Sequence, residues 1–397
     1  MMRVIFVDDE PNILNGLRRM LRPLRHEWDM SFAEGAQEAL AIMADRPVDI
    51  VVSDMRMPDY DGAYLLTEVR TRYPETARII LSGHSEQELT IRSVSCAHQF
   101  LAKPCDADTL RETVLRTAQL RELMVNHELR RLTSEIGQLP SVPSVYAALT
   151  QEMGKEDPDL ASVASIVAAD MAMSAKILQL VNSAFFGLRR SVSSIEHAVT
   201  YLGLDVIRSL VLSQSAFRVF EKDSGAESAE ILTRRGQRIA AVAKLIAKDL
   251  TDNRVLVEEA FQAAMLHELG KLILSSELPA AYAKIDSGRD DGLSRADHER
   301  EALGVTHGEV GAYLLGLWGL SDGIIEAIAF ASEPAKSNVR GFAPVVAVHI
   351  ARALHDELYE SPEVVLAADW VDGLDLSENL ANWRALAQKQ LDTRNAA

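Results

Sequence analysis

Apolar residues in the first 120 positions fall into two alternating patterns. Short runs rich in Val and Ile predict strands at 2–7 (MRVIFV), 29–33, 48–53 (VDIVVS), 78–82 (RIILS) and 98–102 (HQFLA). Between the first two, Ile13, Leu14, Leu17, Met20, Leu21 and Leu24 recur at helical spacing, and similar stripes separate the later strands. Five strand–helix units in succession predict an α/β fold, a doubly wound parallel five-stranded sheet with helices on both faces. From 106 to 135 the pattern becomes one long polar helix, with Leu110, Val114, Thr117, Leu120 and Met124 three or four residues apart and no Gly or Pro before Gly137. A helix of that kind runs out of the first domain as a connector. Its apolar seam has no evident partner there and points to a homodimer stalk. Beyond Gly137 strand signals nearly vanish, and 160–186, 193–220, 231–250 and 255–275 read as helices separated by turn signals. The expected organisation is an α/β domain over 1–120, a helical linker over 121–135 and an all-α domain over 136–397.

Charge narrows the function classes. The chain carries a net charge of −17, with excess acid in both halves, so nothing in bulk attracts it to a phosphate backbone, and nucleic acid is not an expected partner. No run of about 18 or more apolar residues is present, and acids begin at position 8, which predicts a cytoplasmic protein with no membrane contact. Cys96 and Cys105 are the two cysteines and lack metal-ligand company, so they read as reduced thiols.

Open parallel sheets carry their chemistry at the carboxyl ends of the strands. Here that rule selects Asp8 and Asp9 after the first strand, Asp54 after the third, Ser82 at the end of the fourth and Lys103 after the fifth. Crowded carboxylates repel one another unless a hard cation joins them, and few protein ligands with several retained waters point to Mg²⁺. A carboxylate beside Mg²⁺ is able to accept a phosphoryl group while a Lys and a hydroxyl bind the transferred oxygens.

Val7-Asp8-Asp9-Glu10, VVSDMRMPDYDG (51–62), IILSG (79–83) and FLAKP (100–104) together resemble the receiver domain of two-component response regulators, a flavodoxin-like fold, over about residues 1–120. The resemblance implies that a histidine kinase phosphorylates Asp54. It also implies that Asp8, Asp9, Asp54 and the backbone carbonyl of Arg56 hold Mg²⁺, and that Lys103 and Ser82 contact the phosphoryl group. Phe100 falls where the family keeps an aromatic switch, or is ordinary core, and Arg56 and His84 fall where access of hydrolytic water is shaped.

In the second half, LPSVPSVYAAL (139–149), IVAADMAMSAKILQLVNSAFFG (166–187), SIEHAVTYLGLDVIRSLVL (194–212) and HGEVGAYLLGLWGLSDGIIEAIAF (307–330) resemble the HDOD domain, a helical relative of the HD phosphohydrolases. The resemblance implies that the metal-ligand positions of active HD enzymes fall on Arg235, on the pair His267 and Glu268 within a helix, on His307, on Ala331 and Ser332, and on Arg352. A guanidinium is permanently charged and does not ligate, so no metal is expected there. His267 and His307 read as relics, with Arg235 and Arg352 pairing with Glu268. The expected function is a response regulator whose non-catalytic HDOD domain binds a protein or nucleotide ligand. The alternatives are a degenerate HD-type phosphodiesterase acting on a cyclic dinucleotide and a DNA-binding regulator. The stretch 159–187 parses as helix-turn-helix, but it offers only Lys176, Gln179 and Asn182 toward base edges and phosphates.

Overall fold

A computed structural model of the chain describes all residues except 84–92, 94, 124–126, 137–138, 156, 184–190, 213–216, 220–228, 288–292, 338, 360–363 and 396–397. The five predicted strands form at Met2–Val7 (β1), Trp28–Ala33 (β2), Ile50–Asp54 (β3), Ala77–Ser82 (β4) and Gln99–Ala102 (β5). They pair in parallel in the order β2-β1-β3-β4-β5, which puts the reversal of strand order between β1 and β3, where Asp8 and Asp54 emerge. Every residue of β3 and β4 is buried, as expected for strands covered on both faces.

The alternation of side chains divides this sheet into two unlike faces. Val4, Phe6, Ile50, Val52, Ile79 and Leu81 pack with Leu14, Leu17, Leu110 and Val114 in a core of their own. Ile5, Val7, Val51, Ile80 and Phe100 belong to a second cluster that continues without a break into the helical half. The described helices between strands are Pro11–Met20, Ala36–Asp45 and Gly62–Arg72; the helix expected between β4 and β5 lies outside the described residues.

The connector is helical over Ala107–Leu123 and His127–Glu135, and Met124 lies outside the described residues. Leu110 and Val114 are fully buried in the receiver-like domain's own core, Thr117 is buried, and Leu120 meets Gly316 of the helical domain. Leu110, Val114, Thr117 and Leu120 of the seam that suggested a dimer stalk are therefore covered within the chain. A second departure is a short parallel strand pair in the helical half, Leu139–Ser141 (β6) with Phe217–Val219 (β7). Asp170 ties β6 to the following helix: its buried carboxylate accepts from Val142 N at 2.6 Å, Ser141 Oγ at 2.8 Å and Met173 N at 2.8 Å.

The rest of the second half is helical, and its close approaches are written in small residues. A Cβ on Gly270 would lie 1.8 Å from His307 O, so only glycine lets helix Leu269–Glu277 press against helix His307–Leu317. Helix Met171–Val181 is buried at all 11 positions, and with Leu160–Ala168 it makes a pair bent by 118°. Among the described residues no single helix is long and apolar enough to cross a membrane.

The two halves meet along β4, β5 and the connector. Arg78, at 1% exposure, donates from Nε to Cys96 O at 2.6 Å, from one terminal nitrogen to Thr76 O at 3.2 Å and from the other to Ser134 O at 2.5 Å. Ser134 in turn lies 3.4 Å from Tyr313 Oη, on the helix that begins at His307. Arg116 pairs with Asp322 at 2.9 Å and donates to Leu320 O, and Gln179 Nε2 donates to Ala97 O at 3.4 Å. Removing a buried charged donor leaves its acceptors desolvated and unmatched at about 1–3 kcal/mol each. Arg78→Met is therefore expected to lower stability by about 3 kcal/mol in urea unfolding. Amide exchange over 127–136 should rise with it, and unchanged exchange there would show that the seam does not rest on Arg78.

Candidate functional site

The acid pocket forms because β1 and β3 end side by side. Asp8, Asp9 and Asp54 place one carboxylate oxygen each within 4.8 Å of the others, the one such group among the described residues. The loop that leaves Asp54 returns at once: Gly62 N donates to Met55 O at 2.9 Å, and a Cβ on Gly62 would lie 2.3 Å from Asp54 O. From β5, Lys103 reaches Asp54 Oδ1 at 2.5 Å and Asp8 Oδ2 at 2.8 Å, and its backbone N–H donates to Ser82 O at 2.8 Å. Asp54 and Asp8 are buried, Asp9 half-buried and Ser82 fully buried.

Electrostatics follow from that placement. Burial raises the Asp54 pKa above its ordinary value, opposed by the hydrogen bond from Lys103 and assisted by the charge of Asp8. Burial also works against the Lys103 ammonium, but its hydrogen bonds to Asp54 and Asp8 outweigh that and raise its pKa. The donor set is all oxygen, partly open and negative by more than Lys103 offsets, so it fits a hard divalent cation. Phe100, opposite Ile80 on β4, is fully buried. Arg56 is exposed on the loop after Asp54, and His84 lies outside the described residues.

The second constellation is assembled too, but around different partners. His267 and Glu268 stand at the junction between helices Arg254–Leu266 and Leu269–Glu277 and not within a helix, because the chain turns there. His267 Nδ1 donates to Ala264 O at 2.5 Å, which leaves the Nε2 lone pair 3.0 Å from Glu268 Oε1. Neither Glu268 oxygen has a hydrogen-bond donor; charge holds it, with Arg235 at 3.6 Å, Arg352 at 4.0 Å and Lys271 at 4.0 Å. Burial alone would raise the Glu268 pKa, but Arg235 and Lys271 hold it well below the usual carboxylate range. Arg235's shorter contact is Asp356, at 2.8 Å, and Arg352 donates to Ser332 Oγ at 2.9 Å. Ala331 O accepts from His349 Nδ1 at 2.8 Å. His307 is held elsewhere, by Glu299 at 2.7 Å.

Sequence reading missed Asp356, Glu299 and His349. Asp356 sits four residues after Arg352, on the same helical face, which was the available signal. Glu299 and His349 gave none, since their contacts are made across helices.

Burial pushes the pKa of His267 and of His349 down to about 4. Both are therefore neutral when folded, while the unfolded chain takes up protons near pH 6.5. Stability is thus complete above about pH 6.5 and is lost as pH falls toward about 4, on the order of 3 kcal/mol for each histidine. Melting temperatures read by circular dichroism from pH 7.5 to 4.5 should fall accordingly, and less steeply in His349→Gln; a flat profile for the unsubstituted chain would contradict this.

Comparison with known proteins assigns a family to each half of the chain. The family model for the response regulator receiver domain matches residues 4–115, and that for the HDOD domain matches residues 139–334. The hydrogenase transcriptional regulatory protein HoxA of Cupriavidus necator is 35% identical over 135 residues, covering 34% of this chain and 27% of that protein. An uncharacterized protein of Treponema pallidum is 25% identical over 224 residues, covering 55% and 43%. The chain thus spans 27% and 43% of the length of these two curated relatives. The MmoQ response regulator of Methylococcus capsulatus shares the fold at a TM-score of 0.50 and 23% identity, over 62% of this chain and 98% of that one. An acid pocket at the strand reversal and a helical domain packed against β4 and β5 are thereby accounted for: the chain is a receiver domain followed by an HDOD domain, the architecture of a two-component response regulator.

Proposed function

We propose that Asp54 accepts a phosphoryl group from a histidine kinase and that the HDOD domain responds by binding a protein or nucleotide partner, with no hydrolysis of its own. The observation that carries the reading is Lys103 spanning Asp54 and Asp8 in a three-carboxylate pocket. An Asp54 carboxylate oxygen attacks phosphorus, the P–N bond to the donor imidazole breaks, and that nitrogen keeps the electron pair. Asp8, Asp9, Asp54 and the backbone carbonyl of Arg56 would hold Mg²⁺, which when bound offsets charge on the transferred oxygens. Lys103, released from Asp54, turns its ammonium to a phosphoryl oxygen while keeping Asp8, and Ser82 supplies a hydroxyl to another.

Transmission follows the strand. Ser82, Ile80 and Arg78 alternate along β4 and so share one face, with Phe100 beside Ile80. Movement of the Ser82 hydroxyl toward the phosphoryl group reaches Arg78 about 13 Å away, and Arg78 holds Ser134 at the entry to the HDOD domain. The switch is then a two-state element biased by phosphate.

For the output domain, the charge network argues against hydrolysis. Metal-assisted hydrolysis needs ligands converging on a cation, and Arg235 and Arg352 supply positive charge where HD enzymes place ligands. A DNA-reading role is not favoured, since helix Met171–Val181 is wholly buried. The transcriptional role in HoxA's name belongs to that protein.

After incubation with Mg²⁺ and a small phosphodonor, intact mass should rise by one phosphoryl group, and Asp54→Asn should abolish it. Label persisting in that variant would place the acceptor elsewhere. The purified full chain should carry transition metal well below one equivalent and should turn over neither cyclic dinucleotides nor simple phosphodiesters with added Mn²⁺ or Fe²⁺. Turnover abolished by His267→Ala would instead establish the phosphodiesterase reading.

A further inference from the structure

The run RRMLRPLR, residues 18–25, holds four arginines and no acid in a chain of net charge −17. Three of them, Arg18, Arg22 and Arg25, line a cavity of about 330 Å³ beside the outer strand β2, at the opposite edge of the sheet from β5 and the HDOD seam. Its aromatic wall is rigid: the Arg18 guanidinium lies 4.6 Å from the Phe32 ring centre, and Phe32 stacks on Phe6 at 5.4 Å. The lining acid, Asp29, is taken by Arg46 at 2.6 Å. Among the described residues neither Arg18 nor Arg22 has a carboxylate within ion-pair distance, and Arg25 Nε donates to the neighbouring His26 ring at 3.2 Å. A separate observation concerns Trp28, which lines the same cavity at 2% exposure and whose indole N–H has no acceptor.

The cavity therefore offers positive charge on planar guanidiniums, one of them seated over Phe32, and its lining carboxylate is paired with Arg46. The three guanidiniums are exposed, but the buried Trp28 N–H lacks an acceptor, and three like charges around one hollow repel, so both favour an anion. Guanidiniums bind phosphate and carboxylate through paired N–H groups and stack on planar rings. A volume near 330 Å³ lies at the small end of ligand cavities. We propose that this cavity binds a small anion joining a phosphate or carboxylate to a planar ring, the chemistry of a mononucleotide, as an input separate from Asp54.

The test is calorimetric titration of the full chain, without Mg²⁺, using AMP, adenosine and inorganic phosphate as probes. AMP is expected to bind one equivalent. Adenosine and phosphate should each bind about tenfold more weakly or worse, because each keeps half of the recognition. The double variant Arg22→Gln with Arg25→Gln, with its fold checked by circular dichroism, should weaken AMP by about tenfold or more while Asp54 is still phosphorylated by a small donor. Phosphate binding as tightly as AMP would reduce the cavity to a simple anion site and overturn the proposal, as would AMP binding unchanged in the double variant. No AMP binding at concentrations on the order of 1 mM would overturn it as well. In that case binding of a single-stranded oligonucleotide lost in the double variant would reassign the patch to nucleic acid. Failure here leaves phosphorylation of Asp54 untouched, since the two readouts are independent.

Discussion

A guanidinium cannot shed its charge, so one buried at a domain seam dictates its surroundings. Arg78 is in that position. Its N–H groups need carbonyls, and they find them at Cys96 and Thr76 in the receiver domain and at Ser134 where the connector enters the HDOD domain. Those acceptors are backbone atoms, so the bond fixes the path of the chain and not merely a rotamer. Around it the apolar cluster containing Ile80 and Phe100 continues into the helical core, which leaves the two domains sharing one interior. An interior of that kind is close-packed and transmits displacement instead of absorbing it. In the proposed function this is what lets a small change at Ser82 matter to the HDOD domain.

The two charged centres solve one problem in opposite ways. In the receiver pocket three carboxylates face one ammonium, and the charge that Lys103 leaves uncompensated suits a hard cation. In the HDOD centre Glu268 and Asp356 are matched from within by Arg235, with Arg352 and Lys271 near Glu268. The fixed guanidiniums leave a structural cross-link between helices Ala229–Leu250, Leu269–Glu277 and Pro344–Leu358.

What the sequence by itself determined was the receiver. Short runs rich in Val and Ile specify strands, five strand–helix units specify a parallel sheet, and the ends of those strands then pick out Asp8, Asp9, Asp54, Ser82 and Lys103. That Arg235 and Arg352 bring fixed charge into the helical domain was legible too, because a permanent charge is a property of the residue. Tertiary structure decided the rest. The seam Leu110, Val114, Leu120 looked unpartnered because a helical period shows that a face is apolar without showing what covers it; the receiver core and Gly316 cover it here. His267 and Glu268 sit at a turn between helices because close packing at Gly270 sets where the next helix begins. Asp356 for Arg235, Glu299 for His307 and Ser134 for Arg78 are pairings across 121, 8 and 56 residues. Local pattern carries no information about such partners, since a buried charge is satisfied by whichever group the fold brings near it.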